Sequence, residues 1–62
     1  PGTTRTGIHA AAGDPARPER VAKRVPLGRV AEPAEIADAV LWLLSPQSAY
    51  VTATVLHVAG GL

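Results

Sequence analysis

Apolar positions are unevenly spaced along the chain, and their spacing marks one strong element. Between Pro33 and the Ser45-Pro46 stop, Ile36, Ala37, Val40, Leu43 and Leu44 recur at i, i+3, i+4 intervals, which predicts an amphipathic helix. Pro33 suits a first helical position, and Glu35 lies in the first turn, where the helix dipole favours a carboxylate. Glu35, Asp38 and Trp42 fall on the opposite side, so the largest side chain projects from the more polar face. After a short turn at 46–49, residues 51–58 read Val-Thr-Ala-Thr-Val-Leu-His-Val and end at Gly60-Gly61. Such β-branched density predicts a strand. Thr54, Leu56 and Val58 lie on one face and Val55 and His57 on the other, so both faces are partly apolar and a covered strand is expected.

The first half is weaker in pattern and richer in punctuation. Pro1-Gly2 is turn chemistry. Residues 3–13 are expected to be a loop, with one possible helical turn at Ala10-Ala11-Ala12 ended by Gly13. Asp14-Pro15 predicts a cap and first residue for a helix over 15–24, with Glu19 and Lys23 paired at i, i+4 and Val21 and Val25 on a thin apolar edge. Val25-Pro26 closes it, because the residue before proline is biased out of helical torsions. Residues 26–32 then link to the long helix.

Composition sharpens this picture. A chain of 62 residues buries only about 60% of the surface its unfolded form exposes, which excludes a complete nucleotide-dependent enzyme. Apolar residues make up 47% of the chain, but alanine is the commonest of them and only Trp42 and Tyr50 are aromatic, so core volume is scarce. Without cysteine there is no disulfide, thiolate metal site or cysteine nucleophile. No apolar run approaches the roughly 20 residues needed to cross a bilayer, and no signal layout opens the chain; a soluble, cytoplasmic protein is expected. The absence of methionine makes a fragment the economical expectation.

The formal net charge of +1 divides into +4 over residues 1–30, where all six basic groups face only Asp14 and Glu19, and −3 over 31–62 from Glu32, Glu35 and Asp38. Arg17, Arg20, Lys23 and Arg24 have no interleaved aromatic side chains, so a solvated helix face is expected there rather than a nucleic-acid surface. His57 has no second ligand at metal spacing and is expected to be structural. His9 is similar, with a slight edge as a substrate contact because of its loop. An isolated strand cannot satisfy its own backbone, so residues 51–58 need a sheet that the other residues do not obviously supply.

Four stretches reach a recognisable pattern: Pro1-Gly2-Thr3-Thr4-Arg5-Thr6, Arg24-Val25-Pro26-Leu27-Gly28-Arg29, Glu32-Pro33-Ala34-Glu35-Ile36-Ala37, and Tyr50-Val51-Thr52-Ala53 leading to Val58-Ala59-Gly60-Gly61. In this order they closely resemble the C-terminal quarter of the short-chain dehydrogenase/reductase family, whose pattern runs P-G-x-x-x-T, P-L-G-R, P-E-E-I/V-A, S-Y-I/V-T-G and V-D-G-G. Each piece alone is weak; collinear across the whole chain they are specific. Two departures stand out: Ala53 replaces the usual glycine and Ala59 the usual aspartate.

The resemblance implies an α/β architecture. The chain would be a C-terminal fragment, with small helices, a long helix and the last strand, of a Rossmann-type doubly wound parallel sheet. Residues 1–62 would be the C-terminal part of a single NAD(P)-binding domain, with 1–32 as the substrate-loop region and 33–62 as the long helix and last strand. It implies that Pro1, Gly2 and Thr6 lie beside the nicotinamide ring of NAD or NADP, with the Thr6 hydroxyl on the carboxamide and the Thr4 backbone doing the same. A helix cap or a solvated hydroxyl is the bland alternative for Thr6.

The implied reaction is hydride transfer between the nicotinamide and an alcohol or carbonyl substrate. The family's phosphate-binding glycine loop and its catalytic Ser, Tyr and Lys belong upstream of Pro1, so no catalytic or metal residue is assigned here and the isolated 62 residues are expected to be inactive. Tyr50 has Thr54, not lysine, four residues later. Expected partners are a small-molecule substrate, the remainder of the domain, and a second copy of the chain through Trp42, Ala39 and strand 54–58; neither nucleic acid nor membrane is expected. The alternative from another class is a non-enzymatic remnant or self-association module.

Overall fold

The structure is a computed structural model describing all residues 1–62. It contains α1 (Ile8–Ala11), α2 (Arg17–Ala22), α3 (Pro33–Leu44) and a 3-10 turn at Pro46–Ser48. The first helical turn is set at both ends by local chemistry. The Thr6 hydroxyl oxygen accepts from the Ile8 N–H at 3.2 Å, and Gly13 adopts φ +83° while its N–H bonds to Ala10 O at 3.0 Å, closing the turn as glycine does after a helix.

α2 is shorter than the 15–24 pattern predicts and differs at its start. Ala16, not Asp14, is the cap residue, and Pro18 takes the early helical position that Pro15 was expected to fill. The reason is electrostatic. Both Asp14 carboxylate oxygens accept from the Arg20 guanidinium, Oδ1 from Nη1 at 2.8 Å and Oδ2 from Nη2, which outcompetes a neutral cap bond. Glu19 likewise turns away from Lys23 and takes Arg5 Nη1 at 2.7 Å instead.

α3 matches its prediction closely. The Glu35 Oε1 accepts from the Glu32 N–H at 2.9 Å, half of a capping box, with Pro33 inside the first turn. At the other end the Ser45 hydroxyl donates to Trp42 O at 2.6 Å and the Ser48 hydroxyl to Leu43 O at 2.8 Å, so terminal carbonyls that a helix leaves open are satisfied by side chains.

Packing is where the chain departs from the expected amphipathic pattern. Val40, Leu43 and Leu44, predicted to face a core, are 51%, 43% and 78% exposed, and Trp42 on the other side is 42% exposed. The reason is that no other α-helix packs extensively against it; among the helical elements α3 makes an extended contact only with the 3-10 turn that follows it. Just four residues are buried, and only Val25 and Val30 form an apolar core. A radius of gyration of 13.6 Å exceeds the about 11 Å expected of a compact domain of this length.

The strand predicted at 51–58 does not form. None of the backbone groups of 52–57 has a backbone partner, and Ala53 interrupts the extended path at φ +53°. A strand exists through its neighbours, and the chain offers this segment none. What remains of sheet character is a single parallel bridge between Thr4 and Ala31, together with bonds that dock the chain end: Gly2 N–H to Val58 O at 2.9 Å and Leu27 N–H to Gly60 O at 3.1 Å.

Candidate functional site

The opening residues are held in place from one side. Arg5 N–H donates to Ala31 O at 2.8 Å and Ala31 N–H to Thr3 O at 3.1 Å, so Thr3 and Arg5 spend their backbone groups on Ala31. In a parallel bridge the intervening residue turns its own N–H and C=O the other way. The Thr4 carbonyl accordingly accepts from His9 Nε2 at 2.8 Å. Because a carbonyl can only accept, His9 carries its proton on Nε2. The Thr4 N–H has no partner within the chain, while the Thr4 hydroxyl folds back to donate to Gly2 O at 3.1 Å.

Gly2 is fixed by a steric requirement. A Cβ built there would lie 2.9 Å from Ala59 Cα, and its φ is not positive. The space its side chain would fill is thus occupied by Ala59, not kept open for an approaching ring. Thr6 already serves the local cap on α1 through one lone pair; its O–H proton and second lone pair are not used by that bond.

All four residues expected at a cofactor, Pro1, Gly2, Thr4 and Thr6, line one open hollow of about 470 Å³. His9 and Arg17 share its wall. His9 carried a weak sequence signal through its loop, whereas Arg17 read as one more solvated charge on α2. The available signal was competition for Asp14: Arg20 captures that carboxylate, which leaves Arg17 without an ion pair.

The remaining charges brace the site's frame. Arg5 joins Glu19 at 2.7 Å and Glu32 at 3.5 Å, tying the first strand-like segment to α2 and to the cap of α3. Arg29 holds Glu35 with Nη1 to Oε1 at 2.7 Å and Nη2 to Oε2 at 2.8 Å. These two donors, joined by the Glu32 N–H, pull the Glu35 carboxyl down to about 2. Arg5 lowers Glu19 in the same way, and Arg20 lowers Asp14. His57 is exposed, and nowhere do three His, Asp or Glu side chains converge as metal ligands do. No helix is long and apolar enough to cross a membrane.

The family profile described as "Enoyl-(Acyl carrier protein) reductase" matches residues 1–62, the whole chain. The chain belongs to the short-chain dehydrogenase/reductase family. Over 62 residues it is 45% identical to the 3-oxoacyl-(acyl-carrier-protein) reductase FabG of Vibrio cholerae serotype O1, covering 100% of this chain and 25% of that protein. It is 41% identical over 61 residues to the uncharacterized oxidoreductase YgfF of Escherichia coli (strain K12), covering 98% of this chain and 25% of the relative. Over 40 residues, 64% of this chain and 16% of the relative, it is 60% identical to the FabG of Chlamydia muridarum. The chain thus spans about a quarter of the length of the curated relatives it matches over nearly its whole length.

Proposed function

We propose that these residues form the C-terminal part of a single Rossmann-type domain in an NAD- or NADP-dependent oxidoreductase, and that their task is to seat the nicotinamide end of the cofactor. When bound, the dinucleotide supplies or accepts the hydride exchanged with an alcohol or carbonyl substrate. The observation carrying this reading is the gathering of Pro1, Gly2, Thr4 and Thr6 on one hollow, with the Thr4 N–H unspent.

The donor set suits a primary carboxamide. An unpartnered N–H can meet the amide oxygen, and a hydroxyl can accept from the amide nitrogen or donate to its oxygen. His9, by anchoring the Thr4 carbonyl, keeps the Thr4 N–H directed away from Ala31. Holding the ring in one orientation converts binding energy into a productive approach of the reacting atoms. Proton transfer belongs to a Ser, Tyr and Lys set elsewhere in the whole protein, so the 62 residues by themselves are inactive. The uncovered sides of α3 fit a helix that packs against the remainder of the domain and against a second copy in a cytoplasmic homo-oligomer.

Thr6→Val tests the reading, because it keeps the shape and removes the hydroxyl. In the whole protein it weakens NAD(P)+ binding about 2- to 10-fold, the range of one lost hydrogen bond. Binding of ADP-ribose, which lacks the nicotinamide, stays unchanged. Equal effects on both ligands, or no effect on either, would overturn the assignment.

A further inference from the structure

Three of the five arginines are spent on carboxylates: Arg5 on Glu19 and Glu32, Arg20 on Asp14, and Arg29 on Glu35. Arg17 and Arg24 form no ion pair, and of these two only Arg17 lines the hollow that holds Thr4, Thr6 and His9. Its nearby carboxylate, Asp14, is close enough to feel the Arg17 charge but is gripped from both oxygens by Arg20. Arg17 therefore presents an uncompensated, planar, multi-donor cation to the same space as the Thr6 hydroxyl. On the opposite character, Ile8 contributes an exposed alkyl surface to the wall.

We propose that Arg17 determines substrate specificity by pairing with an anionic group, so that the alcohol or carbonyl substrate is one bearing a carboxylate or a phosphate. The inference rests on the reading of the hollow as the nicotinamide end of the site, and it adds the chemistry of what lies beside the ring. A guanidinium's fork of N–H donors matches both anions bidentately, which a lysine at this place would not reproduce. The charge gives both affinity and orientation: with its anion held at Arg17, a small substrate has few ways left to present its carbonyl.

The test is titration calorimetry on the whole protein, with and without NAD(P)+, using two matched pairs: acetoacetate against methyl acetoacetate, and dihydroxyacetone phosphate against dihydroxyacetone. The expected result is that at least one anion binds about tenfold or more tightly than its neutral counterpart. Arg17→Gln erases that preference, Arg17→Lys restores part of it, and Arg24→Gln leaves it intact. A preference in the first pair alone identifies a carboxylate, and in the second alone a phosphate. The proposal is overturned if no probe binds, if the pairs bind equally, if the preference survives Arg17→Gln, or if Arg17→Gln weakens NAD(P)+ as much as the anion, which would assign Arg17 to the cofactor's own phosphates. An intact anion preference in a protein that fails to bind NAD(P)+ would remove the cofactor reading and leave this one standing.

Discussion

Gly2 and Ala59 interlock: the Cβ that Gly2 lacks would stand 2.9 Å from Ala59 Cα and 3.0 Å from Ala59 Cβ, while the Gly2 N–H donates to Val58 O at 2.9 Å. The first turn of the chain and its closing turn are one structural unit, and the candidate hollow is built on that unit. Gly2→Ala forces the added methyl against the Ala59 backbone and Cβ, a contact no rotamer change relieves. The expected cost is about 1 to 3 kcal/mol, the usual scale of overpacking, seen as a lower denaturation midpoint together with weakened NAD(P)+ binding. Ordinary stability in Gly2→Ala would show that the two turns move apart freely.

Ala53 sits at φ +53° in the left-handed region, at the position where the family usually has glycine. An L-residue with a side chain is held there at a cost of about 1 to 2 kcal/mol. Ala53→Gly is expected to recover about 1 kcal/mol after allowing for the added freedom of glycine in the unfolded chain. Urea midpoints of the two proteins decide it: an Ala53→Gly variant no more stable than the parent means the segment adopts another torsion in solution.

The Arg29 and Glu35 pair predicts a pH dependence of definite sign. Arg29 and the Glu32 N–H favour the carboxylate, so the folded-state value of Glu35, about 2, lies below its ordinary value of 4.5. A depressed carboxyl stabilises the fold fully above its unfolded value, and this contribution fades as pH falls from about 4.5 towards 2. Glu19 and Asp14, lowered by Arg5 and Arg20, act with the same sign. Glu35→Gln should flatten the acid side of the stability profile, and added salt should shrink the difference because the pair is solvent-exposed. Identical acid profiles for Glu35→Gln and the parent would contradict the pairing.

Trp42 is 42% exposed on α3, a helix with no fully buried residue whose extended helical contact is with the following 3-10 turn alone. If it contributes to a contact between copies, Trp42→Ala lowers the oligomer mass measured by light scattering at micromolar concentration. An unchanged mass would place Trp42 outside the contact.

Legibility in the sequence followed the range of the interactions. α3 was readable because its cap, its periodicity and its stop are all written within a few residues of one another, from Pro33 and Glu35 to Ser45-Pro46. The first turn was only half readable: residues 3–13 were expected to be a loop with a turn at Ala10-Ala11-Ala12, whereas α1 runs over Ile8–Ala11, begun by the Thr6 hydroxyl on the Ile8 N–H and ended, as expected, at Gly13. The start of α2 was not readable, since Asp14 could cap or could pair, and Arg20 settled the competition across six positions. The four cofactor candidates came from motif order, yet their meeting on one hollow depends on the Thr4 and Ala31 bridge and on the docking of Val58 against Gly2. No local pattern encodes contacts at such separations.

By itself, then, the order of residues determined the family, the long helix and a short list of candidate site residues, because each is carried by neighbours along the chain. Only the folded arrangement decided that Ala59 occupies the space beside Gly2, that the backbone of residues 52–57 remains unpaired, and that Arg17 is the guanidinium left free on the hollow's wall. Those outcomes are contests between distant partners for the same hydrogen bonds, charges and volume, and a contest is settled only when all competitors are brought together.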